Sequence, residues 1–310
     1  MNYRICFCID RRMLAGLHVA VRSILCNWGA SAPLAFHVFS EDFDDEDHKR
    51  LNDSLSSTGK KFELDFHKVD PNLFAGFPQL NSSLATYYRL VLPKILGSGR
   101  ILYIDADTLC RTDLQPLFEI DLGDCPIGLA AEAPIFSSPD PGVAKLLGDK
   151  AAGNYYNAGV MTLDIDSWLA GDYTNRCLEF IAREQPQYHD QSALNYVLHG
   201  KIHQLEDTFN CRTNVRRFWP NLKSPGFGDG TLLHFVDFPK PWSRYGRWVH
   251  PFGKRWWQEL DKTAIRRADV AFWEPTFPSP ARRISYRKML KDKLLFKLFN
   301  CGCKVKGVSE

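Results

Sequence analysis

The chain has 310 residues, 45% of them hydrophobic and 24% charged, which suits one large α/β domain or two modest ones and excludes a disordered or fibrous class. Its net charge of +3 is unevenly spread: nine Lys/Arg and one Asp between Arg282 and Lys306 put +8 on that tail and leave −5 elsewhere. A broad nucleic-acid-binding face is thereby excluded, and a local anionic partner for the tail is expected.

In chain order, Tyr3–Ile9 predicts a buried strand and Leu14–Cys26 a helix with Leu17, Val21, Ile24 and Leu25 on its apolar face. Leu34–Phe39 is a second strand, Asp44 to about Leu55 an acidic helix, and Phe62–Val69 an alternating third strand. Ala85–Leu96 reads as a helix and Arg100–Ile104 as a fourth strand. Such alternation implies an α/β fold with a mainly parallel sheet and helices on both faces. Pro126–Ala131 is a further short strand, Ala133–Gly142 a Pro/Ser-rich loop, and Asn154–Asp164 a polar turn feeding a strand. Asp166–Glu184 and His189–Leu198 read as helices, Pro220–Gly230 as a broken turn and Thr231–Val236 as a strand. Gly226, Gly228 and Gly230 lack the spacing of a phosphate-binding fingerprint. No apolar run is long enough for a membrane span, and the N-terminus lacks the pattern of a signal peptide. The nine scattered cysteines read as reduced core thiols, which places the protein in the cytosol; Cys301 and Cys303 have no companion metal ligands nearby.

Asp105-Ala106-Asp107 follows directly on the apolar run Arg100–Ile104. A buried strand thus emerges into two carboxylates, one residue apart, that can share a divalent cation. Taken alone, the triplet also fits a solvated turn. Ligands of parallel α/β sheets settle beyond the carboxyl ends of strands. Asp10 and Asp105 both stand at such ends, so both are expected to face one crevice.

Four more motifs accompany them: Tyr87-Tyr-Arg-Leu90, Asn157-Ala-Gly159, Asp190-Gln191 and His234-Phe-Val-Asp-Phe-Pro-Lys-Pro-Trp242. Together, from Met1 to about Trp257, they resemble glycosyltransferase family 8, and in particular its bacterial lipopolysaccharide glucosyl- and galactosyltransferases. The resemblance implies a GT-A fold and retaining, Mn²⁺-dependent transfer (Mg²⁺ being the second candidate) of glucose or galactose. The donor would be UDP-glucose or UDP-galactose, and the acceptor a saccharide such as lipopolysaccharide core or a related glycolipid. It makes Asp105, Asp107 and His234 the metal ligands and sets Lys240 against the diphosphate. Asp10 becomes the uridine contact, while Arg89, Glu132, Asn157, Ala158, Gly159, Asp190 and Gln191 line the donor sugar. Gln191 and Asp190 then flank the reacting carbon, and both a covalent and a front-face route stay open. His234 alone also reads as a satisfied histidine beside a strand, and Asp10 as a helix cap.

Four positions depart from the family pattern. Asp237 replaces a glycine between His234 and Lys240, Glu132 an aspartate, Arg12 a smaller residue near the uracil, and Asn81 a histidine of one subgroup. Asp237 is the main argument for the alternative, a catalytically silent nucleotide-sugar- or glycan-binding protein. Phosphoryl or nucleotidyl transfer lacks a phosphate-cradling loop here.

In the tail, Tyr286, Leu290, Leu294 and Leu298 recur every fourth residue along Ile284–Phe299, with Lys and Arg opposite. Two readings fit: a helix packed on the body, or one lying on anionic lipid, which the resemblance favours. The expected organisation is a catalytic domain over 1–257 and a basic extension over 258–310, peripheral on the inner face of the cytoplasmic membrane.

Overall fold

Strand β1 (Tyr3–Cys8) is buried along nearly its whole length, as an unbroken apolar run must be when helices cover both faces of a sheet. The computed structural model describes residues 3–80, 82–132, 140–148, 155–213, 230–236 and 238–270, with Arg287, Leu290, Lys291 and Leu294 beyond them. After β1, Asp10 caps a short 3-10 turn by accepting the Arg12 N–H at 3.0 Å, and helix α1 (Leu14–Asn27) follows. Strand β2 (Leu34–Ser40) leads to α2 (Asp45–Ser56), which opens with a reciprocal Asp44/Asp47 capping box, and then to β3 (Phe62–Lys68).

The stretch expected to be one helix at Ala85–Leu96 is instead a 3-10 turn, Ala85–Leu90, followed by the short α3 (Leu92–Leu96). Pro93 explains the break, having no N–H to give the Arg89 carbonyl. Then come β4 (Arg100–Ile104), β5 (Thr108–Cys110), α4 (Gln115–Glu119), β6 (Ile127–Ala131), α5 (Pro141–Leu147) and β7 (Tyr156–Asp164). The helix predicted over 166–184 is two, α6 (Ile165–Ala170) and α7 (Tyr173–Glu184), separated where Asp172 takes a left-handed φ of 49°. The described chain continues through α8 (His189–Val197), β8 (Ile202–Leu205), β9 (Cys211–Arg212), β10 (Leu232–His234), α9 (Gly246–Val249) and α10 (Gly253–Leu260).

Seven strands form the main sheet in the order β3-β2-β1-β4-β7-β6-β8. Only β7 runs against its neighbours, so its first residues lie at the rim where β1 and β4 end. Side chains alternate across the sheet. Cys6, Cys8, Ile101 and Tyr103 join a core beneath α6, α7 and α8, whereas Ile5, Phe7, Leu102 and Ile104 pack with α1, α2 and α4. A second, three-stranded sheet, β5-β10-β9, stands beside the rim. Behind it lies a third core of Ala15, Val19, Leu109, Leu233, Phe235, Trp242, Trp256 and Trp257, continued by Leu260, Ile265 and Val270. Trp242 and Trp256 meet at 4.8 Å between ring centres, and Trp257 Nε1 donates to the Pro241 carbonyl at 3.0 Å.

Among the described residues no helix is long and apolar enough to cross a membrane. Asn81, Asp237, the turn from Pro220 to residue 229, and most of the tail lie outside the described residues. Of the apolar stripe in the tail, Leu290 and Leu294 are described, and both are helical and exposed.

Candidate active site

β4 ends where the Asp105–Asp107 triplet begins, and the backbone pins that triplet from both sides. Asp105 N–H donates to the Gly159 carbonyl at 2.8 Å, and Phe235 N–H donates to the Asp107 carbonyl at 2.8 Å. Helix α1 closes in beneath: a Cβ on Gly16 would lie 2.7 Å from the Ala106 carbonyl oxygen, so only glycine fits there without displacement. β5 then pairs antiparallel with β10, setting His234 opposite Thr108, one residue past Asp107. That register carries an imidazole to carboxylates more than a hundred positions away in sequence.

The result is a compact group. Ligand atoms of Asp105, Asp107 and His234 all lie within 4.8 Å of one another. His234 Nε2 stands 3.3 Å from Asp107 and 3.6 Å from Asp105. Gly159 keeps the floor open, since a Cβ there would sit 2.2 Å from His234 Cε1 and 2.8 Å from Asp105 Oδ2. Two carboxylates and an imidazole, set against a strand with no room for a Cβ, match the donor set of a divalent cation.

Cations border the group. Lys240, 8% exposed, donates its ammonium to Asp107 and to the Phe235 carbonyl. Burial works against the Asp107 charge, but the Lys240 ammonium beside it holds the carboxyl well below its usual range. Arg89 is clamped over the Tyr103 ring at 4.3 Å and donates to the Ala158 carbonyl at 2.6 Å, the Thr86 carbonyl at 3.1 Å and Asp105 at 3.0 Å. Asp190 lies 3.1 Å from Arg89 Nε as an ion pair, although that N–H points at Thr86 instead. The Thr86 hydroxyl donates to the other Asp190 oxygen. Burial pushes the Asp190 carboxyl above its normal range, and Arg89 only partly offsets it.

The remaining predicted residues join by hydrogen bonds. Asn157 Nδ2 donates to Glu132 at 3.0 Å and to Gln191 Oε1 at 3.1 Å, and Ala158 N–H donates to the same Gln191 oxygen at 3.2 Å. Asp10 is the exception. It sits on the same rim, but its partners are the Arg12 guanidinium at 2.6 Å and Ser83. Burial opposes its charge, and these hydrogen bonds outweigh that penalty and lower its pKa.

Several participants carry no local signal in the sequence. Asn210, 0% exposed, bonds both Asn157 and His234 at 2.9 Å. Arg212 donates to the Ala131 carbonyl and lies 3.4 Å from Glu132. Tyr103 and Thr86 hold the carboxylates of Asp105 and Asp190. His189, which holds a left-handed φ of 49° at the head of α8, bonds the Tyr87 hydroxyl at 3.0 Å. The pairing of β9 with β10 brings Asn210 and Arg212 to the site, and the packing of α8 on the Ala85–Leu90 turn brings Thr86 to Asp190 and Tyr87 to His189.

A mainly parallel sheet with an aspartate couplet at its rim, one reversed strand beside it and a small second sheet delivering a histidine is the GT-A fold of glycosyltransferases. The model of glycosyl transferase family 8 matches residues 4–246, and the chain belongs to that family and is a glycosyltransferase. It is similar to the galactosyltransferase LgtC, solved with donor and acceptor sugar analogues: TM-score 0.72, 25% identity, covering 85% of this chain and 97% of that one. It is also 25% identical to General stress protein A of Bacillus subtilis (strain 168), over 81% of this chain and 90% of that protein. Lipopolysaccharide 1,3-galactosyltransferase of Salmonella typhimurium is likewise 25% identical, with 79% and 74% coverage.

Proposed function

We propose that the enzyme moves glucose or galactose, with retention, from UDP-glucose or UDP-galactose to a saccharide acceptor, using Mn²⁺, with Mg²⁺ as the second candidate. The observation that carries this reading is the meeting of Asp105, Asp107 and His234 within 4.8 Å, flanked by Lys240 and Arg89. An imidazole in the donor set favours Mn²⁺ over Mg²⁺. When bound, the cation supplies Lewis-acid stabilisation to the departing diphosphate.

The chain's own residues do the rest. Lys240, itself 8% exposed, offers a second positive charge that water screens weakly. Arg89, Glu132, Asn157, Ala158, Gly159 and Gln191 orient the donor sugar; their mutual hydrogen bonds mean little rearrangement is needed when it binds. Asp190 and Gln191 flank the reacting carbon, and Asp10 contacts the uridine. The lipopolysaccharide acceptor of the Salmonella relative supports a lipid-linked saccharide here. With it goes a catalytic unit over 1–257 and a basic extension over 258–310, of which the part beyond Val270, itself packed on the body, would rest on anionic lipid at the cytoplasmic face of the membrane.

A thermal-shift screen of UDP-glucose, UDP-galactose and UDP-GlcNAc, with and without Mn²⁺, tests the donor. Stabilisation by a UDP-hexose that depends on Mn²⁺ is the expected outcome. Slow hydrolysis of the UDP-sugar without acceptor would separate an enzyme from a silent binder. Asp105→Ala and Asp107→Ala are expected to abolish turnover without unfolding the protein, and unchanged turnover in either sinks the metal assignment.

A further inference from the structure

We infer that Asn210 is a positioning residue that fixes His234 as its Nδ1–H tautomer and ties that imidazole, through Asn157, to the Gln191 amide. The inference deepens the metal-site reading and rests on it for its functional consequence. It starts from two backbone N–H groups, whose direction is never in question. Gly159 N–H donates to the Asn157 side chain at 3.0 Å, so the atom facing it is Oδ1. Ala158 N–H donates to Gln191 at 3.2 Å, so that atom is Oε1.

Each later assignment then follows. With Oδ1 fixed, Asn157 Nδ2 faces Glu132 at 3.0 Å and Gln191 Oε1 at 3.1 Å, both acceptors. The Asn210 atom 2.9 Å from Asn157 Oδ1 must be a donor, Nδ2. Its other end is therefore the oxygen, 2.9 Å from His234 Nδ1, which must carry a hydrogen. In the neutral imidazole, the form that can ligate a metal, Nδ1 then holds the one N–H, so Nε2 offers its lone pair on the side of Asp107 at 3.3 Å and Asp105 at 3.6 Å. Three acceptors converge there, an arrangement a cation satisfies. One buried carboxamide thus sets the ligand's lone pair and restrains the residue that holds Gln191. Its place is set by the backbone: β9 begins one residue later and lies parallel to β10, with Cys211 opposite Leu233 and Arg212 opposite His234.

The test separates the two arms of Asn210. Long-range ¹H–¹⁵N imidazole spectra of the metal-free protein, with the His234 signal assigned by its absence in His234→Gln, are expected to show a single Nδ1–H form. Asn210→Leu removes both arms; it should yield mixed tautomers and weaken Mn²⁺ binding by calorimetry roughly 10- to 100-fold. Asn210→Asp keeps the acceptor for Nδ1–H but loses the donor to Asn157. It should hold the tautomer and keep Mn²⁺ affinity within about threefold, while the donor KM rises about tenfold or more. Should the leucine variant fail to fold, the aspartate variant alone decides. An Nε2–H form in the wild type, or a wild-type donor KM in Asn210→Asp, overturns the inference. A wild-type protein that shows Nδ1–H yet binds no divalent cation supports the relay and fails the metal reading instead.

Discussion

Gly159→Ala adds one methyl group where β7 passes beneath the imidazole of His234. The new carbon would lie 2.2 Å from His234 Cε1 and 2.8 Å from Asp105 Oδ2. Carbon atoms rest at about 3.5–4.0 Å, so the imidazole or the strand must yield by roughly 1.5 Å. Gly159 sits within a strand and needs no left-handed conformation, so the effect is steric alone. Overpacking of this kind costs about 1–3 kcal/mol of stability. A reacting group displaced by about 1 Å loses on the order of 100-fold in rate. We expect urea unfolding to show the first loss, and donor hydrolysis with Mn²⁺ to fall about 100-fold, together with Mn²⁺ affinity by calorimetry. Gly128→Ala is the control: its Cβ would meet Thr162 Cγ2 at 2.7 Å and Leu205 Cδ2 at 2.9 Å in the same sheet, away from the aspartates. It should cost stability and leave Mn²⁺ affinity unchanged. A Gly159→Ala protein with wild-type Mn²⁺ affinity and turnover would refute the steric argument.

Two further outcomes follow from buried charge. Arg89→Met withdraws the guanidinium from Asp105 and Asp190, the latter 3% exposed, and should cost about 3–5 kcal/mol in urea unfolding; a loss under about 1 kcal/mol would contradict the pairing. His18, 0% exposed on α1 and bonded to Ser54 at 2.7 Å, has its pKa pushed down from 6.5 to about 3, first by burial and then by Arg50. The unfolded chain therefore binds more protons between those two values, and stability falls as pH drops through that window, by about 2 kcal/mol at pH 5. His37, lowered to about 4 by burial and by His67, adds to the same slope. Urea midpoints at pH 7 and pH 5 measure the effect; His18→Leu should flatten it, and an unaltered slope would refute the assignment.

The parallel half of the fold was legible because its signals are local. Apolar runs of strand length alternate with helical patterns from Tyr3 to Ile104, and the structure keeps that order. What escaped was defined by partners distant in sequence. Thr108–Cys110 is a strand only because Leu232–His234 lies alongside, and nothing in three residues announces it. The same holds within the site. The aspartate couplet stands out because it ends an apolar run, whereas Asn210 and Arg212 owe their place to the register of β9 on β10. Where the sequence reading erred on elements, one proline and one left-handed residue account for it, at Pro93 and Asp172.

The stretch that delivers Lys240 is held both by its own turn and from behind. Its peptide N–H is held by the Ser243 hydroxyl at 2.9 Å, its carbonyl lies where a Cβ on Gly246 would fall 2.0 Å away, and Trp257 grips the Pro241 carbonyl. The match to the family ends at residue 246, yet α10 and the turn beyond it, anchored to α2 by Ala264 N–H on Ser54 at 2.8 Å, form the buttress behind this ammonium. A recombinant chain trimmed to the family boundary would keep every side chain of the site and lose what aims one of them. Grafting tails between relatives therefore amounts to editing the candidate site from behind.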